Sequence, residues 1–355
     1  MIKILHSADW HLDAPMLLRD PQQTRYLKDA LAGIPGKITS ICKQERCDLM
    51  LLAGDLFDGA YTAGTLQELK AALRDAEVPV FITPGNHDFV GNNAPWTTEI
   101  WPDNVYIFTH SFIEDVVLED LDVRVYGGGF TAMDCPGLLE GFTANAPQRY
   151  KVGILHGDPT QASSPYCPVS KQQVLNSNLD YLALGHIHKG DSFRAGKTLC
   201  AWPGCPMGKG YDEDGEKGVL IVTLDDTAEA RFLPLDTPRF YDITVPAEND
   251  PAHALDKVLP AMGNMDFYRV TLTGPCDPFS TEDLLRPEFP NLVLRDRTVP
   301  PLDVWASAGQ DTFEGRYFKM LQDKLKDADE ETKQKIYLAA EISRKILDGQ
   351  EVVLP

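Results

Sequence analysis

Five short polar clusters, each following an apolar run, carry the residues of this sequence best suited to metal chemistry. Asp9-Trp10-His11 follows Ile2 to His6, Gly54-Asp55-Leu56-Phe57-Asp58 follows Leu49 to Ala53, and Gly85-Asn86-His87-Asp88 follows Val80 to Thr83. His156-Gly157-Asp158 comes after Val152 to Leu155, and Gly185-His186-Ile187-His188 after Tyr181 to Leu184. Asp, Asn and His together offer oxygen and imidazole donors, which suit manganese, iron or zinc in a reactive site better than the thiolates of a structural zinc site. Two such ions about 3.5 to 4 Å apart, bridged by one carboxylate, would activate a water and clamp a phosphoryl group. Asp55 is the expected bridge.

Each cluster alone also has a plain structural explanation. Asp9 and His11 read equally as a loop turn with a satisfied histidine, and Asp55 with Asp58 as a helix cap and first-turn acid. Asn86 and Asp88 would serve as turn formers, His156 as a lone core histidine, and His186 with His188 as a surface pair. It is the order, five times after an apolar strand, that argues for one site.

The elements that must position these clusters alternate. The three apolar runs before residue 85 read as strands. Between them, Tyr26, Leu27, Ala30, Leu31, Ile38, Ile41 and Cys42 predict a helical segment broken near Pro35-Gly36, and Leu66, Leu69, Leu73 and Ala76 one helix face. A β-α-β-α-β order predicts parallel strands with right-handed crossovers, whose carboxyl ends open on one crevice. Further strands are expected at 105–108, 123–126, 152–155, 181–184, 199–202, 219–224 and 231–233, so that two strand layers are flanked by helices. After a boundary near Leu235-Asp236-Thr237-Pro238, the runs 241–245, 267–273 and 292–294 suggest a small α+β unit. The tail is expected to be helical, with Phe313, Tyr317, Met320, Leu321 and Leu325, then Ile336, Ala339, Ala340, Ile342 and Ile346, at helical spacing before Gly349.

Bulk properties narrow the classes. At 355 residues, two domains are expected. No apolar run reaches 18 residues, and the short apolar start passes straight into His6 and Asp9, which reads as a first strand of a cytoplasmic protein with no membrane span. The seven cysteines are scattered without C-x-x-C spacing, which argues for core thiols. A net charge of −20 opposes unaided binding to nucleic acid, whose affinity rests on Lys and Arg meeting phosphates.

The five clusters taken in order resemble the motifs D-x-H, G-D-x-x-D, G-N-H-D/E, H and G-H-x-H of the calcineurin-like metallophosphoesterases. Finer features resemble the bacterial SbcD nuclease branch and especially its shorter YhaO-like members: Ile4 to Pro15, the run Leu184-Gly185-His186-Ile187-His188-Lys189, and Trp202-Pro203-Gly204-Cys205 followed by Glu216-Lys217-Gly218. Asp13 departs from the Gly common in SbcD itself, and Cys205 stands where many members have Ser.

The resemblance implies a four-layer α/β/β/α metallophosphoesterase sandwich over residues 1–237. A small α+β capping domain would follow over 238–310, and a helical tail over 311–355 that would serve as a partner-docking element; simple packing of those helices on their own domain, with Lys324, Lys326, Lys333, Lys335, Arg344 and Lys345 as a solvated face, stands as an equal reading. By motif, Asp9, His11, Asp55 and His188 would hold one divalent ion, and Asp55, Asn86, His156 and His186 the other, with manganese placed first and iron or zinc as alternatives. His87 matches the position that protonates the leaving oxygen, opposite a metal-bridging hydroxide attacking phosphorus in line, and Asp58 the residue that orients it. Asp88 is read as structural. The implied activity is a phosphodiesterase, a DNA exonuclease or endonuclease of DNA repair, working with a coiled-coil ATPase of the SbcC kind or as a homodimer. A phosphatase or small-molecule phosphodiesterase on the same metal core, or a partner-dependent regulatory subunit, stands as the alternative.

Overall fold

Leu49, Met50, Leu51 and Leu52 are all fully buried, because the strand they form is covered on both faces. A computed structural model of the chain describes residues 1–16, 18, 20–349 and 351. Among the described residues the first sheet contains four parallel neighbours, β1 (Ile2–Ser7), β2 (Leu49–Leu52), β3 (Val80–Ile82) and β4 (Val105–Ile107). On the other side of β1 lies β11 (Gly218–Leu224), antiparallel to it, and then β12 (Ala228–Pro234) at the edge.

The second sheet is built around β6 (Val123–Gly128), β7 (Tyr150–His156), β8 (Tyr181–Gly185) and β10 (Thr198–Gly204), all parallel. Its edges are β5 (Glu114–Leu118) and β9 (Lys189–Ala195), each antiparallel to its neighbour.

Period-two alternation decides which core each side chain joins. Ile4, Leu49, Leu51 and Phe81 of the first sheet face Val125, Val152, Ile154 and Ala183 of the second, forming the core between the sheets. Leu5, Met50, Leu52, Val80 and Ile82 point the other way, against α1 (Pro21–Ala32), α2 (Ile34–Glu45) and α3 (Ala63–Asp75) through Leu27, Leu31, Ile38, Leu69 and Leu73. The outer face of the second sheet, with Leu155, Leu182 and Leu184, packs on Val174 of α5 (Lys171–Asn176). A short α4 (Pro95–Thr98) brings Trp96 into the first helical layer. This is the α/β/β/α layering that the resemblance implied.

The helix break falls at Gly33 rather than at Pro35-Gly36. Pro35 sits in the first turn of α2, where its missing N–H leaves no bond unmade.

The chain divides into two compact units, Met1–Asp242 with Asn264–Arg269, and Ile243–Gly263 with Val270–Pro355. A three-stranded sheet in the order β13 (Phe240–Pro246), β14 (Phe267–Pro275) and β15 (Leu292–Val299) is accompanied by α6 (Pro251–Val258). In the tail, α7 (Phe313–Lys324) and α8 (Glu330–Leu347) bury Phe318 and Leu321 against Ile336 and Ala340, whereas Phe313 is 89% exposed. Arg344 does not join a solvated face. It is buried, with its guanidinium 4.5 Å from the Phe318 ring and Nη1 2.6 Å from Glu314 Oε1. The end of the 311–355 segment, from 352 on, lies outside the described residues. Among the described residues no helix is long and apolar enough to cross a membrane.

Candidate metal centre

The loops after β1, β2 and β3 are stitched together by their own backbones. Asp9 N–H donates to Gly54 O at 3.0 Å, His11 N–H to Asp55 O at 2.9 Å, and Leu12 N–H to Leu56 O at 2.8 Å. Asp88 ties in the third loop, its carboxylate accepting from Gly85 N at 2.7 Å, Leu56 N at 2.8 Å and Phe57 N at 3.2 Å. The second sheet delivers its histidines to the same place: His186 N–H donates to Asp9 Oδ1 at 2.9 Å. The carboxyl ends of both sheets therefore meet at one point.

That approach is very close, which explains the glycines in the motifs. Gly54 has φ +89°, and a Cβ there would collide with the His156 ring; a Cβ on Gly185 would collide with the Ala53 carbonyl. Asp9, His11, Asp55 and His186 also have positive φ, at 56°, 49°, 52° and 91°. Such backbone costs about 1–3 kcal/mol per residue and concentrates at functional sites.

All seven residues expected to bind metal converge. His11 Nε2 lies 3.1 Å from His188 Nε2 and 3.9 Å from Asp55 Oδ2. Asp9, His11 and His188 can bring one donor atom each within 4.8 Å of one another, as can Asp9, Asp55 and His156. The same Asp55 Oδ2 is 3.4 Å from His156 Nε2, and Asn86 Oδ1 is 2.9 Å from His156 Nε2 and 3.1 Å from His186 Nδ1. Donors about 2.0–2.2 Å from a common ion stand about 3–3.5 Å apart, so this set fits divalent ions.

The tautomers fit as well. Nδ1 of His156 has the Ala53 carbonyl at 2.9 Å, Nδ1 of His11 has Asp58 Oδ1 at 2.9 Å, and Nδ1 of His188 has Glu213 Oε1. Each oxygen accepts a hydrogen bond from Nδ1–H and leaves the Nε2 lone pair aimed inward.

Electrostatics point the same way. Burial pushes Asp55 up, but the His156 and His11 charges and the hydrogen bonds outweigh it and hold the carboxyl well below its usual range. Burial would lower His156, yet Asp55 and Asp9 raise it to about 10. A field that draws a proton onto a buried imidazole also draws a cation, and the two compete. Asp88, fully buried beside Asp55, is raised to about 7 by burial first and that neighbouring charge second.

His87 stands apart from the donors, its side chain 47% exposed, with Nδ1 3.0 Å from Asp58 Oδ1. Its backbone N–H donates to Asp55 Oδ1 at 2.8 Å. Asp58 thus serves His11 as well as His87, a double contact that the motif alone does not show. Two further residues went unnoticed in the sequence: Glu213, against His188, and Lys209, whose charge helps hold Asp58 below its usual value after the larger effect of the His11 hydrogen bond. Both belong to the glycine-rich loop that follows β10, which has none of the histidine or asparagine that marks the other clusters.

Residues 2–190 match the family model described as calcineurin-like phosphoesterase. The chain is 32% identical over 240 residues to the metallophosphoesterase YhaO of Bacillus subtilis (strain 168), covering 62% of this chain and 57% of that protein, so it spans just over half of that relative's length. It is 23% identical over 276 residues to the SbcD component of the SbcCD nuclease from the same organism, covering 65% of this chain and 68% of that one. A solved dimetal phosphatase from Danio rerio superposes with a TM-score of 0.44 at 12% identity, over 65% of this chain and 96% of that one. With the family model spanning more than half of its residues and the motifs meeting at one centre, the chain belongs to the calcineurin-like phosphoesterases, a family of metal-dependent hydrolases.

Proposed function

We propose that this protein is a two-metal phosphodiesterase that cleaves DNA, as an exonuclease or endonuclease of DNA repair. The observation that carries the phosphoesterase part is the convergence of donors from five loops around Asp55, with His87 exposed at its rim. The DNA part is supported by the likeness to the SbcD component of a nuclease over 276 residues.

In this reading Asp9, His11, Asp55 and His188 hold one ion, and Asp55, Asn86, His156 and His186 the other, with manganese the expected metal. When bound there, two such ions activate a water and neutralise phosphoryl oxygens. The protein's own share is positional and acid–base. Asp58 accepts a hydrogen bond from Nδ1–H of His87 and fixes the ring, so that Nε2–H is placed to give its proton to the departing oxygen. Asp88 clamps the loops that carry Asp55 and Asn86 to one another.

The acidic balance, −20 overall, favours a second reading: a phosphatase or small-molecule phosphodiesterase on the same centre, for which no long polyanion has to be attracted. Manganese-dependent hydrolysis of bis-p-nitrophenyl phosphate beside its monoester, with His87→Ala as control, separates the two. Diester preference lost in the variant, followed by cleavage of end-labelled DNA, is the expected result. Monoester preference would establish the second reading, and no turnover of either substrate would leave a protein that acts only with a partner. That partner, a coiled-coil ATPase of the SbcC kind, is assigned in this proposal to the segment 311–355. Deleting the segment is expected to abolish co-purification of such an ATPase and to leave diester hydrolysis in place.

A further inference from the structure

Beyond the five motif loops, one more segment reaches the metal centre. The loop from Gly208 to Lys217 carries Glu213, whose carboxylate is nearly buried and has both oxygens engaged. Oε1 meets His188 Nδ1 in a very short contact, and Oε2 accepts the Lys209 backbone N–H at 2.7 Å. We infer that Glu213 is a positioning residue: it holds His188 as the Nδ1–H tautomer in the one orientation that presents Nε2 to an ion shared with His11. The inference rests on the proposed role of His188 as a ligand.

Two observations carry it beyond a loop carboxylate that happens to lie close. His188 Nε2 already faces His11 Nε2 at 3.1 Å, so the ring has one nitrogen for each neighbour and no freedom to exchange them. The loop itself is fixed: Gly215 N–H donates to Phe240 O at 2.9 Å, the Tyr211 ring meets Phe240 edge-on at 5.2 Å, and the Arg269 guanidinium covers Tyr211 at 4.2 Å. Arg269 is held in turn by Asp242 at 2.9 Å. A carboxylate behind a ligating imidazole fixes its tautomer and raises its basicity.

Glu213→Gln tests this with almost no change of shape. If the amide oxygen keeps the Lys209 N–H, the amide NH₂ faces His188 Nδ1 and forces it to accept, which moves the ring proton to Nε2, the atom aimed at the ion. Manganese titration of the metal-stripped full chain by calorimetry should then show one of two equivalents weakened about 10- to 100-fold. Glu216→Gln removes the same charge from the same loop, at a carboxylate that pairs with Arg239 at 3.5 Å instead, and should bind as wild type. Equal weakening in both variants would reduce the effect to net charge and overturn the inference, as would unaltered binding in Glu213→Gln. A third equivalent of manganese lost in Cys205→Ser would put an ion between Cys205, Glu213 and His188, and would also overturn it.

A readout independent of any Glu213 variant is the ¹⁵N ring spectrum of the zinc-loaded wild type: a proton on Nδ1 of His188 supports the inference, and a proton on Nε2 ends it. His188→Ala separates the two levels of argument. If it costs no metal, the ligand reading itself has failed; if it costs one equivalent while Glu213→Gln costs nothing, only the positioning role has.

Discussion

Asp58 Oδ1 faces Nδ1 of His11 at 2.9 Å, and the same oxygen lies 3.0 Å from Nδ1 of His87. One carboxylate oxygen therefore serves both a proposed metal ligand and the proposed acid. Asp58→Asn should lower kcat by about 10- to 100-fold and weaken one equivalent of manganese by a similar factor, because both imidazoles lose a charged partner. Steady-state kinetics beside metal titration would check it; a loss of kcat with both ions bound as in wild type would mean that the His11 contact is incidental.

His87→Ala, in contrast, should cost about 10²–10⁴ in kcat, the range of a positioned general acid, with both metal equivalents retained. Asp55→Asn should lose activity and metal together. Metal loss in the first variant, or normal turnover in the second, would contradict the proposed roles.

Away from the centre, His6 is buried with Nε2 3.0 Å from the Leu184 carbonyl and Nδ1 2.7 Å from the Tyr181 hydroxyl. Burial lowers its pKa from 6.5 to about 3, against the smaller opposing effect of the Leu184 bond. Between those values the unfolded chain takes up a proton that the folded chain refuses, so stability falls as pH drops below about 6.5 and levels off below about 3. The slope is about 1.4 kcal/mol per pH unit. Urea melts of wild type and His6→Gln at pH 6 and pH 5 should differ by this much in pH dependence, and parallel curves would exclude His6 as an acid-sensitive group.

Gly185→Ala places a methyl group against the Ala53 carbonyl, backbone that has no room to retreat. Overpacking of this kind costs about 1–3 kcal/mol. The expected signature is a lowered melting temperature together with weakened manganese binding, since Gly185 precedes His186; wild-type behaviour in both would show that the two loops can separate.

The strands buried on both faces were the most legible part of the sequence, because runs such as Leu49 to Leu52 have no polar position to disguise them. The edge strands of the second sheet, β5 and β9, were not. Lys189–Ala195 is largely exposed and carries Lys189, Asp191 and Arg194, the composition of an edge protected against further pairing, which reads as loop. The tail is helical over Phe313–Lys324 and Glu330–Leu347, but with part of the expected face turned outward. Phe313 and Met320 fit the expected stripe yet face solvent, while Arg344 is enclosed by Glu314, Ser307 and Phe318, an arrangement that depends on residues some 30 positions away. For the same reason Glu213 carried no local signal: its meaning lies in His188, 25 residues earlier in the chain.

Positive φ at Asp9, His11, Asp55 and His186 bears on how a copy of this protein would diverge. Asp, Asn and His are the non-glycine residues that best tolerate left-handed backbone, and they are also metal donors. A descendant released from catalysis would still be held to Asp, Asn, His or Gly at these four positions by the shape of the turns alone. Retention of those letters in a distant homologue is therefore weak testimony that the chemistry survives. His87, whose backbone carries no such constraint, is the residue whose loss or persistence would tell.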